Sequence, residues 1–188
     1  MRRLFMFNMM TLDGFFEGPD RDISWHRVDA EFNAYAVEML DAVDVLLFGR
    51  VTYELMARYW PTPEALRDDP LVAGRMNRRS KIVFSRTLEK ADWNNTRLIK
   101  DRMEEEILRL KQEPGRDLVL LGSGKVASQL GPAGLIDEYR VMVNPVVLGR
   151  GTPLFSGINE RLHLRLLRTR TFGNGNVLLI YEPAGKER

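Results

Sequence analysis

At 188 residues, with 44% apolar and 29% charged side chains, the chain has the makeup of a globular protein able to bury a core. A formal net charge of +2 is too small for a broad nucleic-acid footprint. The absence of cysteine removes disulfides, thiolate metal sites and a cysteine nucleophile, and it suits a reducing cytoplasm. The start, Met1 to Asn8, is basic then apolar, but Asn8, Thr11 and Asp13 break the run too early for a signal peptide. No apolar run reaches the roughly 18 residues of a spanning helix, so no membrane partner is expected.

In chain order, Leu4 to Met10 reads as a strand, followed by turns at Asp13-Gly14 and Glu17-Gly18-Pro19-Asp20. Residues 30–43 read as a helix, with Phe32, Tyr35, Ala36, Met39, Leu40 and Val43 on one stripe and Asp29 as N-cap. Asp44 to Phe48, Lys81 to Phe84 and Leu118 to Leu121 are short apolar strands of a sheet covered on both faces. Thr52 to Tyr59 is helical and stops at Pro61 and Pro63. A weaker helical pattern from Glu64 to Asn77 is interrupted by Pro70 and Gly74. Met103 to Lys111 is a helix ended by Pro114-Gly115, and Lys125 to Leu130 is a short one.

The texture then changes. Ile136 to Val143 tends towards period two, with Tyr139, Val141 and Val143 on one face and Glu138 and Arg140 on the other. Leu162 to Thr171 alternates similarly, and Asn174-Gly175 before Val177 to Tyr181 marks a hairpin. The expectation is an α/β fold in one domain, 1–188. Its central sheet is mostly parallel, with antiparallel strands in the last third and a frayed tail at 184–188.

The chemistry concentrates at two strand-to-helix junctions, Phe48-Gly49-Arg50-Val51-Thr52 and Leu121-Gly122-Ser123-Gly124-Lys125-Val126. Each offers free N–H groups and the positive end of a helix dipole, which suit phosphate. Two such turns in one small domain point to a phosphate-rich cofactor. The second lacks the third glycine of GxGxxG, and Val126 after Lys125 breaks a Walker GK[ST], which disfavours a nucleoside triphosphatase. His26 and His163 lack metal-ligand spacing, so no metal is expected. The basic cluster Arg75, Arg78, Arg79 and Lys81 is the one feature a nucleic-acid reading would need.

Several motifs occur in a family's order: Thr11-Leu12-Asp13-Gly14, Gly49-Arg50-Val51-Thr52-Tyr53-Glu54, Lys81-Ile82-Val83-Phe84-Ser85-Arg86, Gly122-Ser123-Gly124, Ile136-Asp137-Glu138 and the Pro145 to Phe155 segment. Over residues 3–182 the chain resembles the dihydrofolate-reductase-like superfamily, in the branch of the riboflavin-biosynthesis reductase domain. The resemblance implies a three-layer α/β/α fold and an NADPH-dependent reductase of a small molecule. Without cysteine, the zinc deaminase half of the two-activity riboflavin enzyme is not expected.

The resemblance also assigns residues. Gly49, Arg50, Thr52, Gly122, Ser123, Gly124, Lys125 and Val126 would hold the cofactor's phosphates. Ser85 and Arg86 would take the adenosine 2′-phosphate and select NADPH over NADH. Thr11 and Asp13 would sit over nicotinamide and substrate, with Asp13 or water as proton source. Trp25 and Asp29 follow the tryptophan–acid pattern of folate-reducing relatives, although Asp29, with Glu31 nearby, is equally explained as an N-cap. Gly149 would lie on the substrate side; Arg150 suits either an anionic substrate or an interface loop. The same residues taken singly also read as plain turns, solvated strand ends and caps. A dihydrofolate reductase proper and a non-catalytic NADPH-binding protein remain alternatives, and relatives suggest a homodimer.

Overall fold

The computed structural model describes residues 1–185; the last three residues of the tail expected to fray, 186–188, lie outside the described residues. β1 (Leu4–Thr11) leads through β2 (Phe15–Glu17) and a single 3-10 turn at Pro19–Arg21 into α1 (Ala30–Asp41). Then come β3 (Val43–Gly49), α2 (Arg50–Tyr59), α3 (Pro63–Asp68), α4 (Pro70–Arg78), β4 (Ser80–Phe84) and β5 (Thr96–Ile99). The chain continues through α5 (Met103–Gln112), β6 (Asp117–Leu121), α6 (Gly124–Leu130) and β7 (Glu138–Asn144), and ends in β8 (Thr152–Pro153), β9 (Leu164–Thr171) and β10 (Val177–Pro183).

Eight strands form one sheet in the order β5-β4-β3-β6-β1-β7-β10-β9, and β2 pairs with β8 in a separate flap. From β5 to β7 every neighbouring pair is parallel; β10 is antiparallel to β7 and to β9. Helices cover both faces. Tyr35, Met39 and Leu40 of α1, Tyr53 of α2 and Met76 of α4 bury one face of β1 with Phe5 and Phe7. Ile107 and Leu110 of α5 and Val126 and Leu130 of α6 bury the other with Leu4 and Met6.

Two expectations change, and one strand is added. The strand at Ile136 to Val143 belongs to the parallel part, in register with β1 from Phe5↔Glu138 to Thr11↔Asn144. It is an inner strand, so its polar face is covered too. The Arg140 guanidinium lies 3.6 Å over the Phe5 ring and donates to Glu138 at 2.5 Å. The weak helix at 64–77 is two helices, each opened by proline; Asp69 ends α3 in a non-helical conformation and caps α4 by accepting from Val72 N–H. Finally, β5 is a half-exposed edge strand whose sequence, Thr96-Arg97-Leu98-Ile99, carries little apolar signal.

Lys81 was part of the basic cluster considered for nucleic acid. The structure buries it, with its Nζ donating to Met76, Asn77 and Arg79 carbonyls at 2.9, 3.1 and 2.7 Å, and 4.5 Å from the centre of the Trp93 ring. It therefore closes the carboxyl end of α4 and is absent from the surface. Burial pushes its pKa down from 10.5 to about 8. The unfolded chain holds that proton more tightly, so this group adds stability as pH rises from about 8 towards 10.5. Lys81→Met leaves three carbonyls short of a donor and should lower stability by about 1–3 kcal/mol. The deficit against wild type should widen between pH 8 and pH 10, read by urea denaturation.

Candidate active site

The parallel strands all end on one side of the sheet; the Thr11, Gly49, Ser85, Gly122 and Pro145 motifs follow such ends, whereas Ile136-Asp137-Glu138 opens β7 on the opposite side. From β3 the chain turns through α2 on one face towards β4. From β6 it turns through α6 on the opposite face towards β7. β3 and β6 are neighbours, so the strand order reverses between them. Ligands of open α/β sheets bind at such a reversal.

Both glycine junctions stand at this reversal and are tied together. Gly49 N–H donates to Ser123 Oγ at 2.8 Å, and Thr52 Oγ1 donates to the Gly122 carbonyl at 2.9 Å. Ser123 Oγ lies 2.8 Å from the Leu121 carbonyl and 3.2 Å from Thr52 Oγ1. Gly122 has φ +59°, and a Cβ there would stand 2.9 Å from Thr52 Cγ2, so the turn admits no side chain. This corrects the part given to these groups: the Thr52 and Ser123 hydroxyls and the Gly49 amide are used in joining the turns. What the junctions leave for an anion is the first-turn N–H groups, which have no intrahelical acceptor. Val126 is buried against Gly49, so only its amide is in play, whereas Lys125 is exposed.

The neighbouring strand end completes the cationic side. The β3–β4 register pairs Gly49 with Phe84, which sets Ser85 and Arg86 beside Gly49 and Arg50. Ser85 Oγ accepts from Leu88 and Thr87 N–H at 2.9 and 3.2 Å and stands 3.5 Å from Thr87 Oγ1, where either hydroxyl can donate. The Arg86 side chain is exposed, with Asp101 at 3.5 Å, and Arg50 bonds Glu54 at 3.1 Å. Two guanidinium groups and a hydroxyl donor on adjacent strand ends fit a phosphate dianion.

At the end of β1, Thr11 is fully buried; its hydroxyl donates to Asp13 at 2.6 Å and accepts from Phe15 N–H. Asp13 also accepts from Gly149 N–H at 2.7 Å and Leu148 N–H at 3.1 Å. The Thr11 hydroxyl, with the Gly149 and Leu148 amides, holds the Asp13 carboxyl below the usual carboxylate range. Asp13 is thus ionised at neutral pH and ties the 145–149 loop to β1; a proton-donor role is corrected to a positioning one. Thr11 shapes the same turn from inside and has no group left for a ligand.

The substrate-side residues separate. Asp29 caps α1 through Phe32 N–H at 2.9 Å, and Glu31 accepts from Gly173 N–H at 2.8 Å. Asp29 thus serves as the N-cap of α1, and one oxygen of each carboxylate, Asp29 Oδ1 and Glu31 Oε2, is held by a backbone N–H. Trp25 is half-buried, with Nε1 on the Asp22 carbonyl and its ring edge-on to His26. Burial pushes the His26 pKa down to about 4, so the imidazole is neutral at physiological pH. A groove of about 680 Å3 beside α2, floored by Tyr53, Ala57 and Trp93, contains none of the expected site residues.

Sequence reasoning gave no role to Asn144 and Asn176, both fully buried. Asn144 Oδ1 accepts from Arg27 N–H and Asn176 Nδ2 donates to the Arg27 carbonyl, pinning the loop before α1 to β7 and β10. Their signal in the sequence is an asparagine at a strand end.

A family model for the RibD C-terminal domain matches residues 2–178. The chain belongs to the RibD C-terminal domain family. Within it, the chain is 34% identical over 184 residues to the uncharacterized protein YyaP of Bacillus subtilis (strain 168), covering 98% of this chain and 96% of that one. Solved structures share the fold at lower identity. A diaminohydroxyphosphoribosylaminopyrimidine deaminase/5-amino-6-(5-phosphoribosylamino)uracil reductase from Thermotoga maritima superposes with TM-score 0.69 at 18% identity, over 97% of this chain and 57% of that chain. A dihydrofolate reductase from Enterococcus faecalis, complexed with NADP(H), superposes with TM-score 0.65 at 17% identity, over 97% of both chains. The RibD C-terminal domain of this chain thus has a dihydrofolate-reductase-like fold.

The joined turns set a stability test. Ser123→Ala removes the acceptor of the half-buried Gly49 amide and should lower stability by about 1–2 kcal/mol. Combined with Thr52→Val in a denaturation cycle, the losses should be non-additive by about 0.5 kcal/mol or more, because the two hydroxyls share one network.

Proposed function

We propose that this RibD C-terminal domain is an NADPH-dependent reductase of a small molecule with a C=O or C=N group. The observation that carries the reading is the pair of joined junctions at the strand-order reversal, with Arg50, Ser85 and Arg86 on the adjacent strand ends. Support comes from the family and from the NADP(H) of the Enterococcus faecalis relative.

NADPH supplies the hydride when bound; the protein's part is placement. The amides opening α2 and α6 would take the diphosphate, and Ser85 with Arg86 the 2′-phosphate. The loop tied by Asp13 would border the substrate. A dihydrofolate reductase proper is less well supported, because Asp29 and Glu31 are already bonded within the fold. Turnover in a substrate screen separates the reductase from a non-catalytic NADPH-binding protein.

Arg86→Ala should weaken NADPH binding by about 10- to 100-fold and leave NADH binding nearly unchanged, measured by fluorescence titration. Equal loss for both cofactors would refute the 2′-phosphate assignment.

A homodimer belongs to the same reading. β9 is one of the two edges of the eight-stranded sheet, β5 being the other, and it exposes Leu166 and Leu167. An exposed apolar edge strand is a ready surface for pairing. Light scattering should give twice the chain mass, and Leu166→Lys with Leu167→Lys should give the single-chain mass.

A further inference from the structure

Asn8 sits in the middle of an apolar strand. Its side chain is 1% exposed, and neither Oδ1 nor Nδ2 has a hydrogen-bond partner. A buried amide with both functions unmet is destabilising, and a leucine would fill the same space without that penalty. An orphaned group of this kind points to a partner that arrives with a ligand.

Its position narrows the ligand. Phe7 and Met9 face the α1 side of the sheet, so Asn8 faces the α6 side with Met6 and Met10. Asn8 is opposite Val141 of β7 and lies one residue past the last β1–β6 pair, Phe7↔Leu121. That ladder closes where Gly122 N–H donates to the Phe7 carbonyl at 3.1 Å. Asn8 is therefore next to the β6–α6 turn, while Trp25 and α1 pack on the opposite face.

Its chemistry narrows the ligand further. The side chain requires one acceptor and one donor held in a plane. Phosphate supplies acceptors and an ammonium supplies donors; a primary carboxamide supplies both. We propose that Asn8 pairs with the carboxamide of the nicotinamide ring through two antiparallel N–H···O=C bonds, which fixes which face of the ring meets the substrate. This rests on the NADPH reading above. Asn8 is 1% exposed, so the packing around it has to yield for the ring to reach it.

The test is a titration of wild type and Asn8→Leu with three ligands. These are NADPH, its reduced acetylpyridine analogue, which keeps the carbonyl and loses the amide donor, and 2′,5′-ADP, which has no ring. Wild type should bind NADPH about tenfold or more tighter than the analogue. Asn8→Leu should lose that discrimination, weaken NADPH about tenfold and leave 2′,5′-ADP unchanged. Its melting temperature should match or exceed wild type, since an unmet amide is gone. Equal binding of NADPH and analogue by wild type overturns the proposal, whether or not the leucine variant folds. So does full NADPH affinity in Asn8→Leu, which would leave Asn8 holding only a buried water, or parallel weakening of 2′,5′-ADP. If wild type binds neither NADPH nor 2′,5′-ADP, the cofactor reading itself fails and the proposal with it. Binding of both without carboxamide discrimination removes the Asn8 assignment alone.

Discussion

The site depends on a hydroxyl-centred bridge between two turns. Ser123 accepts from Gly49 N–H, and Thr52 donates to the Gly122 carbonyl. These bonds join the amino end of α2, on one face of the sheet, to the amino end of α6, on the other. They hold two sets of unmet amides side by side where the strand order reverses. Gly122 is required by the same geometry, since its left-handed backbone lies against Thr52 with no room for a Cβ. Without the bridge the two helix ends would be anchored independently, and a ligand with two phosphate regions would have to order them itself.

A second tie acts on the substrate side. Asp13 gathers Thr11, Leu148 and Gly149 around one carboxylate and so couples the end of β1 to the loop after β7. Those donors hold its carboxyl below the usual carboxylate range, so it stays ionised further into acid. Asn144 and Asn176 fasten the loop before α1 in the same manner, through Arg27 backbone groups. The loops that border the cleft are thus held by buried polar side chains, whose unmet alternatives would be destabilising.

Much of this architecture was legible before any coordinates. The α1 stripe from Phe32 to Leu40 and the Asp29 cap appear as read, although the helix stops at Asp41 and Val43 opens β3; the apolar strands β3, β4 and β6 appear too. β5 was not legible, because an edge strand with one half-covered face needs few apolar residues. The polar face of β7 misled for a related reason. Glu138 and Arg140 look solvent-facing in a period-two pattern, yet a strand between two others has both faces covered, and the pair bonds internally over Phe5.

The sequence by itself determined which residues were candidates, since glycine, threonine, serine and arginine at strand ends are what phosphate chemistry needs. It also determined the fold family through the order of those motifs. Only the tertiary structure decided which donors remain available. Thr52, Ser123 and Gly49 bond one another across 70 or so positions of chain, Asp13 is consumed by Gly149, and Asn8 is left with no partner at all. Spacing along the chain carries no record of such pairings, because a hydrogen bond between distant residues exists only once the sheet has brought the strand ends together.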